Sequence, residues 1–489
     1  MTARHVLVVG AGPGGLAAAD AALAAGARVT LVDSAPRPGG QFHRMLPAAY
    51  EAERPGELHH GWGAFDRRRQ RVLGHPRCDW RPGTAVWALE RTQEGEPAGP
   101  PLVHLLRGPA DGTDRERQVL HPDALVLAAG AHDRVLPFPG WDLPGVFTAG
   151  AAQALAKGER VVVGDRVIVA GTGPFLLPVA ASLLEAGASV TELLEANTPA
   201  TLARGWGRRG WELAAQLGKG SELLGYAALL ARHRVPVRTG RAVIEARGEG
   251  QVEEAVTARL RADWSVIPGT ERTVPADAVC VGHGFTPQLE LPVAAGCALR
   301  GGDGAAAAGS ADVFVAVDDD QRTSCPGVYA AGEITGIAGA PCARAEGALA
   351  GWIAGGGDPF APRLRPLRRA RDQGRSFGRR LARAHPTGAA WPGWLRSDTV
   401  VCRCEETSYG ALCAAVAAPG GADARVAKLA TRAGLGPCQG RVCGPTVSEL
   451  STRLGAPSPC ATRPEPGPHH RPLAHPVRLG ELAAEPRSP

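Results

Sequence analysis

Apolar positions along the chain fall into short bounded runs, and their periods predict alternating strands and helices. His5 to Val9 reads as a first strand, followed by a glycine turn and an alanine-rich helix to about Ala25. A second strand, Arg28 to Val32, ends at Asp33 and completes a βαβ unit. The pattern returns at Arg166-Val-Ile-Val-Ala, with a turn at 171–176, an apolar helix to about Ala186 and a strand from Ser189 to Glu195. Asp123 to Gly130 reads as a buried strand ending in small residues. Ala276 to Gly284 resembles the strand that closes the second unit, and Pro326 to Glu333 a strand returning to the first. Tyr50 to Gly112 is charged and proline-punctuated, with weak strand signals only.

These runs divide the chain into a first nucleotide-type unit (1–160), an inserted second one (161–284), a return segment (285–356) and a basic linker (357–398). A cysteine unit (399–456) and a tail rich in Pro, Arg and His (457–489) follow, the tail expected to be disordered or draped over another surface.

Composition narrows the class. The chain has 489 residues, a dispersed net charge of +6 that gives no nucleic-acid signature, and no apolar run long enough to span a bilayer. The apolar start is too short for a signal peptide and runs straight into glycines. Eleven cysteines without such a signal suggest a reducing, cytoplasmic setting and metal ligation in place of a disulfide framework.

Gly10-Ala-Gly12-Pro13-Gly14-Gly15 carries the spacing of a dinucleotide loop. Gly10 permits the turn, Gly12 lets backbone approach a pyrophosphate, and Gly15 lets the helix sit on the strand. Asp33 falls where a carboxylate can accept from a ribose. The second loop keeps Gly171 and Gly173 but has Leu176 in place of the third glycine, with Glu195 (or Glu192) as the ribose acid. An NAD or another adenine nucleotide is allowed there, and a nucleotide fold that has stopped binding one is an equal reading.

Cys402, Cys404, Cys438 and Cys443 form a C-x-C pair and a C-x4-C pair in two turns, as a [2Fe–2S] cluster requires. Structural zinc is the rival, and its usual spacings suit C-x-C poorly. Arg403, Lys428, Arg432 and Arg441 lie nearby, and Gly434, Gly436, Gly440 and Gly444 free backbone N–H groups to approach sulfur. Cys413 and Cys460 fall outside the pattern. No cysteine lies between Arg37 and Tyr50, so the dithiol of a flavin disulfide reductase is missing. His43, His132 and His283 show no orienting carboxylate and read as structural or surface residues.

Pro38-Gly-Gly-Gln41, Ala128-Ala-Gly-Ala-His-Asp-Arg134, Pro137-Phe-Pro-Gly-Trp-Asp-Leu-Pro-Gly-Val-Phe-Thr-Ala-Gly-Ala-Ala-Gln153, Val401-Cys-Arg-Cys-Glu-Glu406 and Thr431-Arg-Ala-Gly-Leu-Gly-Pro-Cys-Gln-Gly-Arg-Val-Cys443 resemble one family. It is the large flavoprotein subunit of multi-subunit opine and amino-acid dehydrogenases, which include hydrogen cyanide synthase, opine oxidase and D-hydroxyproline dehydrogenase. The resemblance implies an α/β flavoprotein with two dinucleotide-binding domains, thioredoxin-reductase-like, and a small C-terminal helical [2Fe–2S] domain of the bacterioferritin-associated ferredoxin type. It implies FAD on Gly10, Gly12, Pro13, Gly14, Gly15 and Asp33, near Gly40 and Gln41, closed by Gly130, Gly332 and Glu333. Relatives carry aspartate at the last position, so Glu333 is a departure. The implied partners are a smaller FAD-containing dehydrogenase subunit plus, as an optional third member, a small ferredoxin-like subunit. The implied role is electron transfer from the dehydrogenase partner to an acceptor. Two rival readings are a free-standing NAD(P)H-dependent FAD/iron–sulfur oxidoreductase and a ferredoxin-docking module without activity of its own.

Overall fold

Every residue of the strand His5–Val9 is buried, because both faces of its sheet are covered. Val6 and Val8 pack with Leu16 and Ala19 of the helix Pro13–Ala24, while Leu7 and Val9 face Val103 and Leu105 on the other side. The computed structural model describes residues 3–47, 49–50, 52–91, 99–207, 217–302, 313–421, 424–455, 469–471 and 473–483.

The first sheet has five parallel strands in the order Val328–Ala330, Ala124–Leu127, His5–Val9, Arg28–Val32 and Cys78–Arg81. An antiparallel sheet, Thr84–Glu90, Leu102–Arg107 and Glu116–Leu120, covers one face. The helix Ala340–Ala354 lies on Pro13–Ala24 almost backbone to backbone. A Cβ on Gly347 would stand 2.0 Å from the Gly14 carbonyl oxygen, and one on Gly351 1.9 Å from that of Ala18. The weakly patterned 50–112 stretch holds a helix, Trp62–Leu73, which buries only Phe65 and Val72. Two buried positions among so many charges left little periodicity to read.

The second sheet is also five-stranded and parallel, in the order Val237–Thr239, Ser189–Glu195, Arg166–Gly171, Ala278–Gly282 and Val146–Thr148. Its last strand and the following helix Ala149–Ala154 come from the Pro137–Gln153 block, before the expected boundary at 161. The chain leaves and re-enters the first unit side by side, since Ala131–Asp133 pairs antiparallel with Phe285–Pro287.

Much of the stretch read as a basic linker is a 21-residue helix, Leu364–Ala384. Two of its arginines are tied down on the inner side: Arg371 donates to the Asp319 carbonyl oxygen at 2.6 Å, and Arg375 to the Glu346 carboxylate at 2.9 Å. Arginine stems covering apolar surface hide such a helix from a hydropathy reading.

The cysteine unit is a hairpin, Val400–Cys402 with Thr407–Ser408, and the helices Tyr409–Ala417, Ala424–Thr431 and Gly444–Leu454. It shares one core with the second domain, in which Trp264 and Trp394 stack with centroids 5.9 Å apart. The described part of the tail, 469–471 and 473–483, lies against the flavin domain while much of its outer side stays exposed. Ala474 lies in the flavin-domain core and donates to the Trp87 carbonyl oxygen at 2.8 Å. Residues 457–468, 472 and 484–489, and with them Cys460, lie outside the described residues. No helix among the described residues is long and apolar enough to cross a membrane.

Candidate functional site

The first glycine turn closes because its contacts exclude side chains. Gly10 has φ +98°, and a Cβ there would stand 2.4 Å from the Ala128 carbonyl oxygen. One on Gly15 would fall 1.6 Å from the Gly10 carbonyl oxygen. The helix begins at Pro13 and Gly12 caps it with no side-chain bond, so its first N–H groups remain directed at the turn. Asp33 accepts from the amides of Ala11 at 2.6 Å and Ala35 at 2.8 Å. Burial raises its carboxyl while both amides oppose that shift. Gly40 crosses directly over the turn, where a Cβ would stand 2.9 Å from Gly12 Cα. Gln41 follows at the exposed mouth and accepts from Arg44 at 2.9 Å.

Gly130, with φ +77°, has open space where a Cβ would be. The Gly332 amide donates to Glu346 at 2.9 Å, and the Glu333 carboxylate accepts from the Gly339 amide at 2.9 Å. The longer Glu333 side chain is thus turned onto the start of the next helix. Glu346, only 2% exposed, was missed from sequence. It anchors the Gly332 turn, takes the Thr335 hydroxyl at 2.6 Å, and is balanced by Arg375 from the 364–384 helix. A single glutamate in an alanine-rich helix gives no local signal of that partnership.

The second loop is arranged differently. Gly171 and Gly173 both take positive φ, but the helix starts only at Leu176, whose side chain is 2% exposed beside Gly282. Glu195, not Glu192, lies at this loop, because Glu192 faces Arg238 and Arg272. The Glu195 carboxylate accepts from Thr172 Oγ1 at 2.9 Å, the amides of Gly173 at 2.8 Å and Asn197 at 2.9 Å, and Asn197 Nδ2 at 3.1 Å. A fifth bond, at 3.0 Å, comes from Nδ1 of His385, at the end of the 364–384 helix. His385 Nε2 receives Trp206 Nε1–H at 3.1 Å, which leaves the imidazole proton on Nδ1, facing Glu195. Burial would raise the Glu195 carboxyl, but His385 and the two amides hold it below its usual range. These residues do not fit an NAD ribose, because its carboxylate is already saturated and a side chain stands beside it.

In the cysteine unit, Cys402 and Cys443 are buried, Cys438 is half-buried and Cys404 is exposed. The thiols meet as two pairs, Cys402 with Cys443 and Cys404 with Cys438, each taking one residue from each turn. The Cys443 thiol, then the backbone N–H groups of Gly434, Glu405 and Cys404, pull Cys402 down to about 5. Cys443 is pushed up by Cys402, by burial, and by Cys438 and Cys404, so all four sulfurs sense one another. A Cβ on Gly436 would fall 2.3 Å from Cys404 Cβ. No group of three or more His, Cys, Asp or Glu among the described residues is gathered closely enough to hold a metal ion. Four thiols from two turns, with amides aimed at sulfur, are the donors a two-iron cluster would use. Of the nearby cations, Arg403 turns away onto Trp141, 4.1 Å from its ring centroid, and Arg432 pairs with Glu405 at 2.6 Å.

The conspicuous sequence blocks around 128–153 hold this unit in place. Trp141 Nε1 donates to the Val400 carbonyl oxygen at 2.5 Å, Thr446 Oγ1 to that of Val135 at 2.5 Å, and Arg134 meets Glu449 at 2.7 Å. His132 Nε2 lies 2.8 Å from the Arg441 carbonyl oxygen, in the loop between Cys438 and Cys443. His43 stacks on Phe65 and His283 is enclosed beside Trp264. Burial lowers His43 to about 4 and His283 to about 3, which suits structural roles for both.

Residues 4–347 match the model of pyridine nucleotide-disulphide oxidoreductases. The chain belongs to the pyridine nucleotide-disulphide oxidoreductase family. As a member it is an FAD-dependent oxidoreductase, built as a flavoprotein of two dinucleotide-binding domains. It is 33% identical to the A subunit of opine oxidase from Rhizobium meliloti, over 99% of this chain and 88% of that protein. It is 31% identical to hydrogen cyanide synthase subunit HcnB of Pseudomonas protegens, over 92% of this chain and 91% of that one. The crystal structure of L-proline dehydrogenase from P. horikoshii shares the fold, with a TM-score of 0.63 at 17% identity, covering 99% of this chain and 81% of that one.

Proposed function

We propose that this chain is the electron-transferring large subunit of an amino-acid, imino-acid or opine dehydrogenase complex in a reducing, cytoplasmic compartment. In this reading a smaller flavin subunit oxidises the substrate, and a ferredoxin-like subunit is an optional third member. The observation that carries the reading is the His132–Arg441 bond. It joins the strand that follows Gly130, at the mouth of the first glycine cradle, to the loop bearing Cys438 and Cys443. Two candidate cofactor seats meet there through one hydrogen bond.

Bound FAD would supply two-electron acceptance and a [2Fe–2S] cluster one-electron storage. The helix N-terminus at Gly12–Gly14 would hold a pyrophosphate, and Asp33 would orient a ribose. Gly332, fixed by Glu346, would direct backbone toward the flavin side chain. Cys402 with Cys443 and Cys404 with Cys438 would each hold one iron. The saturated Glu195 counts against NAD(P)H as donor. The similarity to subunits named for opine oxidase and hydrogen cyanide synthase supports the same reading.

The test is purification of the native complex, followed by anaerobic addition of proline, hydroxyproline, glycine or opines to the complex and to the chain alone. Flavin bleaching in the complex only is expected. Bleaching of the isolated chain by an amino acid would overturn the assignment.

A further inference from the structure

Arg471 lies beside the cysteine loop, and residues 473–483 after it run over the flavin domain as a strap. Glu481 makes two bonds of 2.7 Å to Arg115, with both side chains nearly enclosed. Arg117 donates to the Leu482 carbonyl oxygen at 2.6 Å, and Arg478 to that of Asp111 at 3.0 Å. Ala474 is bonded through its amide to Trp87 and through its carbonyl oxygen to Arg441. These anchors fix the path of the preceding residues, including Arg471.

The Arg471 guanidinium lies against the Cys438–Cys443 loop, with Nη2 3.6 Å from where a Cβ on Gly440 would stand. Its side chain is 8% exposed, and Nη1 is 3.9 Å from Glu290 Oε1. The same carboxylate oxygen lies 3.5 Å from Arg441 Nε. Two guanidinium groups share this carboxylate, and the side chains of Arg471 and Glu290 are both nearly enclosed. His132 and His469, close by, add no fixed cation of their own, because burial lowers both toward the neutral form. The charge of Arg471 also acts on Cys438 and Cys443.

We propose that Arg471 is a positioning residue of the cysteine centre, delivered by the C-terminal strap to set the charge at Cys438 and Cys443 and so the reduction potential of the metal centre. The inference rests on the cluster reading above. Uptake of one electron from reduced flavin makes a four-thiolate centre one unit more negative. A fixed cation in a low-dielectric setting favours that reduced state. Glu290 acts with the opposite sign.

The experiment compares the midpoint potential of the centre in the full chain carrying Arg471→Gln, Arg471→Lys, Glu290→Gln or Arg478→Gln. Arg471→Gln should move it to more negative values, Arg471→Lys should restore most of the shift, and Glu290→Gln should move it to more positive values. Arg478→Gln, which loosens an anchor of the strap but removes no charge beside the cysteines, should move it in the same direction as Arg471→Gln and by less. A purely structural strap would give no opposed signs and no rescue by lysine, and equal potentials for Arg471→Gln and the parent would overturn the proposal. A second readout is independent of iron. Co2+ titrated into the metal-stripped chain is followed by its thiolate charge-transfer band, and Arg471→Gln should weaken binding about tenfold. Unchanged Co2+ affinity overturns the role of Arg471. A tenfold effect in a chain that holds no iron would leave that role standing and overturn the cluster reading alone.

Discussion

Arg134, four residues after Gly130, forms a 2.7 Å ion pair with Glu449 of the last helix of the cysteine unit, and the two side chains are 9% and 4% exposed. Glu449 also accepts from Trp391 Nε1 at 3.2 Å and from Arg453 at 2.9 Å. One buried carboxylate thus joins the strand end beside the flavin cradle, the tryptophan core and the cysteine unit. A buried pair adds little over a well-packed apolar contact, but removing one partner strands the other charge.

Glu449→Ala should therefore destabilise the chain by about 3 kcal/mol. The loss should appear first as faster proteolysis of the cysteine unit, with flavin retained. Denaturant unfolding and limited proteolysis measure the two effects, and unchanged proteolysis would show that the pair does not hold the units together.

Cys404→Ser and Cys438→Ser each remove a member of the exposed thiol pair. Loss of cluster absorbance and of iron is expected, with FAD content unchanged, because the first glycine cradle and the cysteine unit draw on separate cores. Absorbance spectra and iron analysis report the outcome. Iron retained in both variants would remove these residues from the ligand set.

NADH should not bleach the flavin of the isolated chain under anaerobic conditions. The reason is the Trp206–His385–Glu195 series of hydrogen bonds at the second loop, together with Leu176 at the start of its helix. Stopped-flow absorbance with millimolar NADH is the measurement, and bleaching within seconds would favour the free-standing oxidoreductase.

Acid should weaken the fold through its buried imidazoles. His43 and His59 are lowered to about 4 and His283 to about 3, chiefly by burial. In the unfolded chain these imidazoles titrate near 6.5. Their neutral forms stabilise the fold fully above that value. Below it the unfolded state binds more protons, so stability falls as pH drops from about 6.5 toward 4. His283→Asn should reduce the slope between pH 6 and pH 4.5 by about 1.4 kcal/mol per pH unit, as read from denaturant unfolding. An unchanged slope would mean that His283 is protonated in the fold.

The locally encoded parts of the protein are legible from residue order. The strand His5–Val9, the loop at Gly10–Gly15 and Asp33 lie within one βαβ unit, and their periodicity and spacing declare them. The return strand Val328–Ala330 is legible too, because a fully buried strand is a continuous apolar run wherever it falls in the chain. The helix at 364–384 is not, since its arginines find buried carboxylates and carbonyls that only the folded chain supplies.

By itself, then, the sequence determined the two nucleotide-type folds, the first cradle and the four cysteines, all properties of short segments whose period or spacing is set by backbone geometry. Tertiary structure alone decided what those segments meet. Glu195 is met by His385, 190 residues away, and Arg115 by Glu481, 366 residues away. Such pairs form because distant surfaces bury together and a buried charge must find its counterpart, and no local pattern records which counterpart will arrive.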